Sequence, residues 1–287
     1  MPPAVITITL DPVLRLSDTS SVRYETIALA LVLLVGLVLA AWIGSRTAAG
    51  DPEEPSARLR IDDLVFISVG AVPGAVIGGR LGYVLDHLAF YQATPSAILD
   101  PAQGELTLTL AVPLGMLTGA LIARLLGAPV GRWMGAVALP LLFVLGAGKL
   151  VGVLGATGQG SVTDLFWATA YEGPGPWGSL AADIPSHPAQ VYEGIAVALA
   201  VGVLFVLGGL ERFRQSSGAL LFLALGLWSI VRIVVGFTWR DDAAVGPFRV
   251  EQALALVVLI VATLGLLVWG RGASRASSGV PPEVQAA

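Results

Sequence analysis

The chain of 287 residues has no cysteine and two histidines. Without cysteine there is no disulfide framework, no protein thiolate nucleophile and no thiolate-ligated metal. Two histidines are too few for a His-rich metal site, so the sequence predicts neither a metal nor a cofactor. Charge is scarce as well: 13% of residues are Asp, Glu, Lys or Arg, against about 25% in soluble domains. That scarcity excludes an ordinary soluble fold. A basic start followed by an apolar core is also missing, so residues 1–23 read as an extracytoplasmic segment rather than a signal peptide.

What is present is apolar. Hydrophobic residues make up 55% of the chain and the mean hydropathy is +0.82. Seven segments are long enough to cross a bilayer, near 24–44, 64–85, 106–127, 132–154, 189–210, 217–237 and 249–270, since a span needs about 20 apolar residues. The expected fold is therefore all-α, a polytopic membrane protein of about seven transmembrane helices over 24–270. Small outer loops are expected at 86–105 and 155–188, and a disordered cytoplasmic tail at 271–287.

Cations set the orientation. Arg46, Arg58, Arg60, Arg124, Arg132, Arg212, Arg214, Arg271 and Arg275 fall on one side, and Arg15, Arg23, Arg240 and Arg249 on the other. Nine against four places the N-terminus outside and the C-terminus in the cytoplasm. Arg80, Lys149 and Arg232 remain, each inside a span and toward its outer end. Buried cations cost several kcal/mol unless they face a partner or a cavity, so three at one depth predict a shared polar pocket near the outer leaflet.

Four stretches surround those cations. In IGGRLGYVLDH (77–87), Gly70, Gly74, Gly78 and Gly82 line one helix face suited to close packing, while Arg80 projects from another with Tyr83 three residues on. In GAGKLVGVLGATGQG (146–160), glycines flank the sole lysine. Phe143 and Leu150 occupy the places where a phosphate loop requires Gly and Ser or Thr. What remains is a loosely wound helix end whose amides, beside an ammonium, suit an anion. In SHPAQVYEG (186–194), Pro188 suits the first helical position, His187 the cap, and Gln190 a reach back to it, with Glu193 one turn further in. An intramembrane carboxylate is a functional candidate by default, and His187 is a potential acid or base. In LGLWSIVRIVVGFTWRDD (225–242), Trp228 and Arg232 stand four apart, Trp239 and Arg240 mark the outer interface, and Glu251 and Gln252 begin the next helix.

Together these segments resemble the bacterial prolipoprotein diacylglyceryl transferase family over nearly the whole chain, from VRYETIALA at 22–30 to FRVEQALAL at 248–256. IGGRLGYVL matches the family's glycine-arginine-tyrosine helix, HPAQVYE its H-P-x-Q-x-Y-E segment, and RIVVGFTWRDD its R-F-x-x-E-F-x-R-x-x-D stretch. The resemblance implies a seven-span enzyme that moves a diacylglyceryl group from phosphatidylglycerol to the lipobox cysteine of a preprolipoprotein signal peptide. Carried over by position, it implies catalytic roles for His187, Glu193 and Arg232. Head-group binding falls to Arg80, Tyr83, Lys149, Gln190, Arg232 and Gln252.

The chain also departs from the family pattern. The signature G-R-x-G-N-F-x-N-x-E reads GKLVGVLGAT here, with Lys149 for arginine, Gly152 and Gly155 for the asparagines and Thr157 for glutamate. H-G-G-L-I-G aligns with TLAVPLG at 109–115, and the glutamate of R-F-x-x-E is Gly236. A catalytically degenerate paralogue that binds or handles lipid is therefore the alternative to a working transferase. A solute transporter ranks below both because no inverted repeat is visible. A retinal protein is disfavoured because the last span has no lysine.

Overall fold

The computed structural model describes residues 5–17, 19–47, 60–100, 102–210 and 217–277. Arg58, Arg212 and Arg214, counted above, lie outside them. Seven long helices carry the chain across the membrane, and they sit within a few residues of the expected spans. They are α1 (Tyr24–Thr47), α2 (Ile61–Asp86), α4 (Leu108–Leu125), α5 (Val130–Val151), α6 (Ala189–Gly208), α7 (Ser217–Val235) and α8 (Val250–Ser277). A six-residue helix, α3 (Leu88–Ala93), lies in the first outer loop. The last helix continues to Ser277, so the tail expected from 271 is helical as far as that residue.

The N-terminal segment and the outer loops are more ordered than their composition suggests. Strand β1 (Ile6–Thr9) pairs in parallel with β4 (Thr169–Glu172), Ile6 opposite Thr169, while β2 (Val13–Arg15) and β3 (Ser21–Arg23) form a hairpin. The β1–β4 pairing places the N-terminal segment and the 155–188 loop on one side of the membrane, as the four spans between them require.

Two packing groups make up the helical body. The first is α2 against α4, joined along the glycine face that the sequence marks. An ideal Cβ on Gly78 would collide with the Leu110 carbonyl, and one on Gly74 with the Leu114 carbonyl. Only a missing side chain permits that approach. Pro73 sits inside α2 without breaking it. The second group centres on α5, which packs α1 on one side and α6 and α7 on the other, with α8 against α7. Its core joins Leu142 and Leu145 of α5, Val197 and Leu204 of α6, Leu221 and Trp228 of α7 and Ala262 of α8. On α1, Leu31, Leu33, Leu34 and Val38 are exposed, as expected of a helix that faces hydrocarbon.

Contacts between the two groups are sparse where α4 passes α7 and α8. A cavity of ≈ 490 Å³ opens there, lined by Leu114, Met116, Leu117, Leu225, Val258 and Ala262 among others. Leu117 and Val261 on its walls are exposed, so the slot opens sideways.

Candidate functional site

Four helices deliver charge to one place. Glu193, on the second turn of α6, accepts from Lys149 of α5 at 3.1 Å and from Arg232 of α7 at 2.9 Å, one carboxylate oxygen to each. The second Nη of Arg232 donates to Glu251, at the start of α8, whose same oxygen accepts from the Thr109 hydroxyl at the start of α4. Arg232, Glu193, Glu251 and Thr109 are all buried. The Arg232 guanidinium also lies 5.5 Å from the Trp228 ring and 4.5 Å from that of Trp239. The first contact is the one the i, i+4 spacing predicts. The second brings in Trp239, an interface marker in the sequence.

Two cations and two carboxylates balance in this network, which is what allows it to be buried. Ionised groups in low dielectric persist only when paired. Removing one member leaves its partner uncompensated, at a cost of about 3–5 kcal/mol. Three buried atoms at or near the network have no hydrogen-bond partner among the described residues: Nε of Arg232, Oε1 of Glu251 and Oε1 of Gln190. Unsatisfied buried polar atoms are rare. Here they comprise one donor and two acceptors, the set a ligand with phosphate and hydroxyl groups satisfies.

The network and the apolar slot share helices α4, α7 and α8, although no residue of the network lines the slot itself. On α8, residues 251, 258, 262 and 269 fall on one stripe; on α7, residues 221, 225, 228 and 232 do the same. In each case the polar residue stands at the end of the stripe nearer the 155–188 loop, and residues that line the slot begin about two turns further along. The slot spans about 18 Å of α8 between Val257 and Trp269, at 1.5 Å per residue.

Other predicted site residues stand elsewhere. Arg80 does not meet Lys149 and Arg232 around one group, as the shared-pocket expectation requires. Its guanidinium donates to the carbonyls of Ala97, Ile98, Asp100 and Gln103, at 2.6–3.0 Å, and so pins the first outer loop. Tyr83 lies 6.0 Å below that guanidinium and stacks on His87. Arg80 also borders a second cavity of ≈ 650 Å³ with Ile77, Leu81, Leu99 and Leu106. The first turn of α6 differs by one residue from expectation. Pro188 rather than His187 is the cap, and it makes no side-chain cap bond. The His187 ring lies 3.4 Å from the Tyr192 hydroxyl. Gln190 donates to the Tyr171 hydroxyl at 2.9 Å instead of reaching back to the cap. Gln252 ties two helix ends together, donating to the Ile233 carbonyl and accepting from the Arg249 amide. The loose helix end after Lys149 is a 3-10 turn at Gly152–Gly155. Glu25 fills the place a side chain on Gly155 would take.

Sequence reasoning passed over three contributors. In the sequence Glu251 stands out only as one of two polar residues that begin the last span, and Thr109 only as the first residue of the stretch aligned with H-G-G-L-I-G. Arg240, taken as an interface marker, holds the second outer loop through Gly160, Leu180, Gln159 and Ser186. Among the described residues no group of three or more His, Asp or Glu is placed to hold a metal ion.

Comparison with known proteins agrees with this architecture. The family model for prolipoprotein diacylglyceryl transferase matches residues 22–269. Among curated proteins, the phosphatidylglycerol–prolipoprotein diacylglyceryl transferase of Vibrio atlanticus (strain LGP32) is 30% identical over 271 residues, covering 91% of this chain and 90% of its own. The enzyme of that name from Geobacter sulfurreducens is 28% identical over 83% of this chain and 89% of its own. The one from Aliivibrio fischeri (strain MJ11) is 30% identical over 90% and 87%.

Proposed function

This chain belongs to the prolipoprotein diacylglyceryl transferase family, and we propose that it transfers a diacylglyceryl group from phosphatidylglycerol to a lipobox cysteine. The observation that carries this reading is the charged network borne by helices that also wall a laterally open apolar slot. Such a site suits a phospholipid. An acyl chain enters the slot from the bilayer and the phosphate meets the unpartnered Nε of Arg232. The departing glycerol phosphate gathers negative charge as its bond to the glyceryl carbon breaks. A preorganised guanidinium and ammonium stabilise that charge without reorganising.

In this reading Arg232 and Lys149 hold the phosphate and Glu193 holds both of them in place. The free Oε1 of Gln190 accepts from a glycerol hydroxyl. Arg80 and Tyr83 frame a lateral entrance, and Gln252 and His187 set the helix ends and loops around the site. The cation count supports an outside N-terminus. A membrane-impermeant maleimide should then label Glu172→Cys in intact cells, and failure to label until lysis reverses the orientation.

The test is mass gain. Purified protein incubated with phosphatidylglycerol and a lipobox peptide should add diacylglyceryl to the peptide thiol, and Arg232→Ala should abolish the addition. The balanced charges of the network favour a second reading, a lipid-binding paralogue without transfer. It predicts saturable phosphatidylglycerol binding, lost in Arg232→Ala, with no mass gain in the wild type.

A further inference from the structure

We propose that Glu251 is the proton acceptor of the transfer, taking the lipobox thiol proton on Oε1 while Arg232 passes from Glu251 to the departing phosphate. The proposal rests on the transferase reading above. Its structural basis is an asymmetry between the two carboxylates. Glu193 has a cation on each oxygen, Lys149 on one and Arg232 on the other. Glu251 places both of its donors, Arg232 and Thr109, on Oε2, and Oε1 is buried without a partner among the described residues. A buried carboxylate oxygen with no donor is destabilised by its lost hydration. It is also the one carboxylate oxygen of the network that accepts no hydrogen bond among the described residues. His187, the sequence candidate for acid–base work, has its ring against Tyr192 instead.

Charge conservation supports the assignment. The step forms a C–S bond and breaks the bond between the glyceryl carbon and the phosphate oxygen. The electron pair of that bond leaves on the phosphate, turning a singly charged diester into a doubly charged monoester. The thiol proton goes to Glu251 Oε1, which turns from anion to neutral acid. Net charge within the site is therefore the same before and after the step, and in a low-dielectric setting this avoids a large electrostatic cost. Neutral Glu251 also releases the Nη of Arg232 as the new phosphate charge appears.

The groups around Glu251 are few. Thr109 comes from α4 and Arg232 from α7. Glu193 and Lys149 act through Arg232, and Asp86 at the end of α2 is within electrostatic range. Glu251→Gln keeps an oxygen that accepts from both Arg232 and Thr109 but cannot take the proton.

The experiment compares single-turnover transfer from phosphatidylglycerol to a lipobox peptide by wild type and Glu251→Gln as pH is raised. Phosphatidylglycerol affinity is read in parallel by native mass spectrometry. The variant should be slower by about 10²–10⁴-fold at neutral pH, the usual range for losing a general base. Its affinity should be unchanged, and its rate should climb toward that of the wild type as the thiol ionises near its own pKa of about 8.5. A variant that matches wild type in rate and pH profile, or loses lipid binding in step with rate, overturns the assignment and leaves the transferase reading standing. A wild type without transfer sinks both. Should Glu251→Gln fail to fold, Glu251→Asp carries the test. A displaced carboxylate should lower the rate and shift the pH profile at unchanged lipid affinity, and an unaltered rate and profile overturns the proposal.

Discussion

Arg232 shows at the scale of one residue how a cation survives in a bilayer. Two carboxylates compensate its charge and two indole rings lie within cation–π distance of it. The sequence exposes this residue and Glu193 because any charge inside an apolar run stands out. Glu251 and Thr109 stay hidden in it, since their partnership joins positions 142 apart and neither lies deep in a span. Arg80 misleads for a related reason: its partners are backbone carbonyls of a loop, which no side-chain pattern reports. Tyr171 offers a test outside the membrane. Its hydroxyl is buried and accepts from Gln190, and burial pushes the phenol up to about 12. A raised phenol favours the neutral form in the folded state, so its contribution is complete below about pH 10 and lost as pH rises toward 12. Ultraviolet titration should show one tyrosine ionising last, and Tyr171→Phe should remove that step together with the matching loss of thermal stability. A wild-type titration complete near the ordinary tyrosine value contradicts the account.

The helices were legible at the scale of elements, and so was the glycine face of α2. Length, hydropathy and a four-residue repeat are local signals. The strands were not, because β1 and β4 are four residues each and pair across more than 150 positions. The start of α6 moved by one residue because a proline without a side-chain donor or acceptor serves as its cap. The α2–α4 seam yields a prediction of its own. A methyl group on Gly78 meets the Leu110 backbone, which cannot swing aside, whereas one on Gly202 meets nothing within 4 Å. Gly78→Ala should destabilise the protein by about 1–3 kcal/mol, the usual cost of overpacking, and Gly202→Ala should not. Thermal unfolding in detergent reads the difference. Equal melting temperatures for the two variants would mean that the seam is looser than described.

At the scale of the whole molecule, the proposed function rests on a gap between two well-packed groups of helices. Dense packing of α2 with α4, and of α5 with α1, α6 and α7, leaves α4 loosely apposed to α7 and α8. That gap is apolar over its length, and three of the helices that wall it carry the charged network further along, so under the proposed function it takes an acyl chain of the phospholipid. No local pattern in the sequence announces it, because its walls come from four helices whose lining residues look like ordinary core. The most direct test of the account maps where the lipid lies. Phosphatidylglycerol carrying a photoreactive group in an acyl chain, bound and illuminated, should crosslink to Leu114, Leu117, Val258, Val261 and Ala262, and Arg232→Ala should erase those crosslinks. Crosslinks confined to Ile77, Leu81, Leu99 and Leu106 beside Arg80, or spread over the outer face of α1, would contradict it.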